Sequence, residues 1–283
     1  MPYSRLPEPE AATEALPRFR APKLMGVVNA TPDSFYAGSR ASAEAAVERA
    51  LRLVDEGADY LDIGGQSTRP GSDAVCVDEE RVRVIPVIKA LAKRVKVPIS
   101  VDTDKARVAA EALDAGARIV NDIGAFRFDP EMARVAVRAE RVVLMHMSGE
   151  SPKTMQTSPR YGDVVAEVGA FLKERVEAFI AAGGERSRVW IDPGIGFGKN
   201  LDHNLSLIKH VGELSRVAPV LLGVSRKSFL KGISPDAGPE ERLPGSLAVA
   251  VWAGLSGVDV LRVHDVAETK RALAAFAAVS GAE

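Results

Sequence analysis

The chain has 283 residues, 46% hydrophobic and 27% charged, so it can bury a sizeable core and is not a disordered polymer. Its 37 Lys and Arg balance 38 Asp and Glu to a net charge of −1, without the basic excess of a general nucleic-acid binder, so no nucleic-acid partner is expected. The single cysteine, Cys76, excludes an internal disulfide and argues against a cysteine-based zinc site.

Residues 1–20 contain Pro and Glu and lack the apolar region of a secretory signal; they read as an irregular N-terminal arm. The longest apolar run, 247–255, is far shorter than the ~18 residues that a membrane span needs. A cytoplasmic chain with no membrane partner is the expectation. From residue 21 onward, short apolar, β-branched runs alternate with amphipathic patterns. Strands are expected at 24–29, 60–64, 98–103, 119–123, 142–147, 189–192, 220–225 and 260–264. Helices are expected at 42–56, 78–94, 105–115, 130–139, 161–182, 202–214, 240–254 (broken near Pro244-Gly245) and 267–279. No linker divides these eight units. Continuous apolar strands between helices imply a parallel sheet covered on its outer face. The α/β class, as a single-domain (β/α)8 TIM barrel over 21–283, fits best. A doubly wound open sheet is the alternative, but Gly194-Ile195-Gly196-Phe197-Gly198 is not its GxGxxG fingerprint.

Polar residues collect where the strands end: Asn29, Ser67-Thr68-Arg69, Asp102, Asn121-Asp122, His146, Asp192, Ser225-Arg226-Lys227, and Arg262 with His264. A barrel gathers these ends on one rim, where barrel enzymes place their chemistry. Asp102, Asp192 and Asn121 beside Lys227 suit a flat heterocycle with donor and acceptor edges, since a carboxylate accepts two N–H bonds and a carboxamide both donates and accepts. Arg262 and His264, two apart on a strand, point the same way and suit an anion together with Asn29. Hard oxygen ligands there favour Mg²⁺.

Eight segments in order resemble the dihydropteroate synthases, the folate-pathway targets of sulfonamide drugs. They are Met25-Gly26-Val27-Val28-Asn29-Ala30-Thr31-Pro32-Asp33-Ser34-Phe35, Asp62-Ile63-Gly64-Gly65-Gln66-Ser67-Thr68-Arg69-Pro70-Gly71, Ser100-Val101-Asp102-Thr103 and Val120-Asn121-Asp122. The others are Met145-His146-Met147, Asp192-Pro193-Gly194-Ile195-Gly196-Phe197-Gly198-Lys199, Ser225-Arg226-Lys227-Ser228-Phe229 and Arg262-Val263-His264-Asp265. Gln66 departs from the pattern, because the family usually has Glu there.

The resemblance implies condensation of 6-hydroxymethyl-7,8-dihydropterin diphosphate with 4-aminobenzoate, through a pterin cation, to 7,8-dihydropteroate and pyrophosphate. It places the pterin on Asp102, Asn121, Asp192 and Lys227. The diphosphate falls to Asn29, Arg262 and His264, with Mg²⁺ at or near Asn29, and 4-aminobenzoate to Thr68, Arg69, Pro70, Phe197 and Ser228. Asp102, Lys227, Arg262 and His264 are the catalytic candidates. A homodimer is implied as well. Two rivals are a pterin-binding methyltransferase barrel and a non-catalytic pterin-binding paralogue.

Stretches 31–41 and 66–77 are long enough to act as lids that keep water from the cation. Ser67 and Ser225 lack an obvious His partner and third group, which argues against a hydrolytic triad. Asp62 is expected lower in the barrel, satisfied by its neighbours, and Lys199 to be solvated. His203 and His210 read as surface residues, Cys76 as a small buried or half-exposed thiol, and Trp190 as packing. His146 reads as rim support as readily as a direct contact, and nothing is attached to Asp104.

Overall fold

The computed structural model describes residues 19–30, 39–67, 75–149, 153–156, 159–234, 236 and 238–281. Eight strands alternate with eight helices: β1 Lys23–Asn29, α1 Ser39–Asp55, β2 Tyr60–Gly64, α2 Val77–Leu91, β3 Ile99–Asp102, α3 Ala106–Asp114, β4 Ile119–Asp122 and α4 Met132–Ala136 come first. Then follow β5 Arg141–Met145, α5 Val164–Ala181, β6 Val189–Asp192, α6 Leu201–Lys209, β7 Leu221–Gly223, α7 Leu243–Leu255, β8 Val260–Val263 and α8 Val266–Ser280. Every pairing is parallel, in the order β6-β5-β4-β3-β2-β1-β8-β7. The ring closes between β6 and β7 through a bridge from Ile191 to Val220 and a 3.0 Å bond from Ile191 N–H to the Pro219 carbonyl. The expected (β/α)8 barrel is therefore the observed fold.

The period of two along each strand builds two cores. Met25, Ile119, Val143, Trp190, Leu221 and Val260 point inward and plug the barrel. Leu24, Val28, Leu61, Ile63, Val101 and Val120 point outward into the helix layer. Trp190 meets Tyr60 edge-on at 5.2 Å and lies under the Arg141 guanidinium, so its reading as packing stands. With the barrel floor filled, a small molecule can enter only at the other end, where the strands finish in polar residues.

Several boundaries differ from the sequence reading. Strands β3, β4, β5, β7 and β8 stop short of the apolar runs, so His146 and His264 each stand one residue beyond a strand. Pro244 does not break a helix: it occupies the first turn of α7, where its missing N–H costs nothing. The pattern over 202–214 divides into α6 and a 3₁₀ turn, Val211–Arg216, at His210. The pattern over 130–139 keeps only the five residues of α4 as α-helix. Most of the arm lies outside the described residues, but Phe19 packs edge-on against Phe276 of α8 at 5.0 Å. No helix among the described residues is long and apolar enough to cross a membrane.

Candidate active site

The rim is organised around Arg262. Its Nε donates to Asp62 Oδ2 at 2.6 Å and its Nη2 to Asp102 Oδ2 at 2.6 Å. Asn121 Nδ2 donates to the same Asp62 oxygen at 3.1 Å. Four strands thus meet in one polar chain, Asn121–Asp62–Arg262–Asp102. Asp62 is completely buried, and its Oδ1 has no hydrogen-bond partner among the described residues; nor has Ser100 Oγ, its register partner on β3. Asp62 thus lies below the strand end with neighbours bonding its Oδ2, as the sequence reading expects, but its Oδ1 is left unsatisfied among the described residues. Its signal was its place two residues before the end of β2, on the same face as Gly64 at the strand end.

The other half of the rim comes from β6 and β7. A Cβ on Gly223 would lie 3.6 Å from Asp192 Oδ2, 3.7 Å from Lys227 Nζ and 3.9 Å from Arg262 Cβ, so Gly223 keeps open the point where all three converge. Asp192 Oδ1 accepts the Gly194 N–H at 2.7 Å. Lys227 Nζ donates to the Ile195 carbonyl and sits 4.6 Å from the centre of the Phe197 ring. The glycine-rich turn after β6 thus delivers a carbonyl and an aromatic face to Lys227. Gly194 has φ +67, and any Cβ there would collide with the His146 carbonyl oxygen, so glycine is required.

Burial sets the proton affinities. It raises the Asp102 carboxyl against the opposing pull of Arg262, with Asp62, Glu80 and Asp104 adding to the rise. It also raises Asp192, opposed by Lys227 and the Gly194 N–H. Lys227 falls to about 8, again through burial, with Asp192 resisting and Arg262 reinforcing. Burial works against the Arg262 charge too, but Asp62 and Asp102 outweigh it and hold the guanidinium above its ordinary range.

His264, beside Arg262 just past the end of β8, is anchored to its neighbours. Its backbone N–H and its Nδ1 meet Ser225 Oγ at 3.2 and 3.1 Å, and Arg49 donates to its carbonyl at 2.7 Å. Ser225 therefore does have a His partner. Because Ser225 is buried and accepts the His264 backbone N–H, the pair fixes the imidazole rather than activating a nucleophile. Lys199 is 3% exposed, not solvated: it donates to the Phe197 carbonyl at 3.0 Å and meets His146 Nδ1 at 2.9 Å. Burial lowers Lys199 to about 7 and keeps His146 neutral. His146 thus backs the glycine-rich turn from inside the protein.

Asn29 ends β1 exposed at the rim, and Ser228 is exposed at the start of a short 3₁₀ turn, Ser228–Gly232. Thr68, Arg69 and Pro70 lie outside the described residues, as do most of the two candidate lids. Cys76 is exposed at the N-cap of α2, not buried or half-exposed as the sequence reading has it. His203 completes the capping box of α6 with Asn200, and His210 pairs with Glu213 at 2.8 Å. Among the described residues no three His, Cys, Asp or Glu gather as a metal site. The exposed Asn29 carboxamide offers one neutral, hard oxygen. That suits Mg²⁺, which leaves most of its shell to phosphate oxygens and water, and does not suit a caged ion.

The pterin binding enzyme family matches residues 25–264 of the chain. The dihydropteroate synthase of Escherichia coli (strain K12) is 46% identical over 254 residues, covering 89% of each chain. A structure of Xanthomonas albilineans dihydropteroate synthase with 4-aminobenzoic acid superposes with a TM-score of 0.86 at 46% identity, covering 93% of this chain and 94% of that one. The complex of the X. albilineans synthase with 7,8-dihydropteroate gives 0.82 at 43% identity, covering 93% and 95%.

Proposed function

The chain belongs to the pterin-binding enzymes and, among them, to the dihydropteroate synthases, and on that premise we propose how its rim performs the reaction. The enzyme is a transferase: it condenses 6-hydroxymethyl-7,8-dihydropterin diphosphate with 4-aminobenzoate and releases 7,8-dihydropteroate and pyrophosphate. The observation that carries the mechanism is Arg262 held between Asp62 and Asp102 at 2.6 Å each, opposite Asp192 and Lys227.

Asp192 accepts ring N–H donors, Asn121 both donates and accepts, and Lys227 donates to a ring carbonyl, so together they orient the pterin. Its exocyclic methylene then faces the Asp102–Arg262 pair. Arg262 and His264 bind the diphosphate with Asn29. Asn29 would hold Mg²⁺, which would supply charge stabilisation for the leaving group. The methylene–oxygen bond breaks, its electron pair leaves with pyrophosphate, and positive charge spreads over the pterin. Asp102 stabilises that charge, and binding the diphosphate draws Arg262 away from it. The amine of 4-aminobenzoate, held by Thr68, Arg69, Pro70, Phe197 and Ser228, forms the new carbon–nitrogen bond and loses a proton to solvent. Among the described residues no group at the rim is arranged as a covalent nucleophile, which fits this ionisation-first route.

A cytoplasmic homodimer completes the proposal. Leu205 on α6 and Trp252 on α7 are large exposed apolar side chains that a second copy would cover. The test of function is turnover of the two substrates by the parent chain and by Lys227→Ala. The parent should form dihydropteroate, and the variant should lose turnover and pterin binding together. Pterin binding by the parent without product would favour a non-catalytic role.

A further inference from the structure

Gln66 belongs to a side-chain cluster that the mechanism above does not use. Lys105, the residue before α3, donates from Nζ to Gln66 Oε1 at 2.9 Å, Glu80 Oε2 at 2.6 Å and Asp104 Oδ1 at 3.0 Å. The three acceptors come from three places: the turn after β2, helix α2 and the turn after β3. Gln66 Oε1 also accepts the Val75 N–H at 3.0 Å, so one oxygen ties residues 66 and 75 to the same ammonium. Glu80 is 1% exposed and its Oε1 has no partner among the described residues. Close approach of α2 depends on Gly65, where a Cβ would lie 2.9 Å from Glu80 Cγ.

Geometry alone does not demand an amide at 66, because a Glu carboxylate would accept the same two bonds. Charge does. One ammonium already faces two carboxylates, one of them buried. A third within hydrogen-bond reach would leave negative charge uncompensated in a desolvated place. It would also add to the field of Glu80 and Asp104 at Asp102, which lies two residues before Asp104 and whose carboxyl both already push upward.

We propose that Lys105 is a positioning residue of the synthase, clamping residues 66 and 75 to the end of β3, and that Gln66 is an amide because Asp104 supplies the second carboxylate of the clamp. Thr68, Arg69 and Pro70 fall between the two anchored residues in sequence, so the clamp acts on arylamine binding more than on pterin binding. This part rests on the synthase reading; the charge balance does not.

The test is a charge-swap cycle on the full chain with Gln66→Glu, Asp104→Asn, the double variant and Lys105→Met. Steady-state kinetics with both substrates is paired with thermal melting without substrate. Gln66→Glu should raise KM for 4-aminobenzoate roughly fivefold or more and lower Tm by several degrees. The double variant restores the two-carboxylate count and should return both readouts to within about twofold and about a degree of the parent. Lys105→Met should raise the same KM roughly tenfold while KM for the pterin diphosphate moves less than about twofold. A double variant no better than Gln66→Glu overturns the charge balance, and an unchanged KM in Lys105→Met overturns the positioning role. If the parent forms no dihydropteroate, the synthase reading and the arylamine role fall, and the melting cycle still decides the charge balance.

Discussion

Asp102 and Arg262 meet across the mouth of the barrel, Nη2 to Oδ2 at 2.6 Å, while the same guanidinium holds Asp62 through Nε at 2.6 Å. Two of its donor sites are thus committed before any anion arrives. A diphosphate can engage Arg262 only through the remaining edge or by drawing it away from Asp102. In the proposed mechanism this exchange would tie the two halves of the reaction together, because the carboxylate freed as the leaving group is gripped is the one assigned to the developing pterin cation.

Asp102→Asn tests that coupling. The amide keeps the size of the carboxylate and removes its charge, so kcat should fall about 100-fold or more while pterin affinity falls less than about tenfold. Pre-steady-state rates set beside equilibrium pterin binding separate the two effects. Equal losses in both would count against a role for Asp102 in stabilising the cation.

Lys227 gives the pH dependence a sign. Burial lowers it to about 8, and the ammonium is a far stronger, charge-assisted donor than the neutral amine. Pterin affinity should therefore hold below pH 8 and weaken as pH rises through that value, with Lys227→Arg moving the alkaline limb upward. Titration calorimetry across pH 6.5–9.5 reads this directly. Affinity flat to pH 9.5 would mean that Lys227 does not bind as an ammonium.

Lys199 predicts a stability effect. Its folded value of about 7 lies below its ordinary 10.5, so the unfolded chain binds the extra proton between those values. Stability must then rise as pH increases from about 7 toward 10.5. Lys199→Met should remove the larger part of the increase in urea midpoint between pH 7 and pH 9. An unchanged increase would show that the lysine is solvated.

Asn29 bears on the metal. Chelation should abolish turnover and Mg²⁺ restore it. Asn29→Ala should raise the Mg²⁺ concentration for half-maximal rate several-fold and leave binding of a pterin without diphosphate within about twofold. Rates across a Mg²⁺ titration measure it.

The barrel was legible because eight apolar runs alternated with helical patterns, and because polar residues recurred at the strand ends. The unrecognised features share a physical cause: they depend on which side chains meet across distant strands. Asp62 lies 200 positions from Arg262 along the chain, and no local pattern reports that contact. Lys199 follows a glycine-rich turn and reads as solvated, but the turn folds over it and against His146. Ser225 and His264, just beyond the ends of β7 and β8, are neighbours only because those strands pair. Asp104 meant nothing until α2 brought Glu80 beside Lys105.

The most direct measurement follows pyrophosphate and dihydropteroate together, from the pterin diphosphate and Mg²⁺, with and without 4-aminobenzoate. The proposed reaction yields pyrophosphate and dihydropteroate in equal amounts when 4-aminobenzoate is present. Pterin binding with no product, or pyrophosphate release that never couples to dihydropteroate, would contradict it.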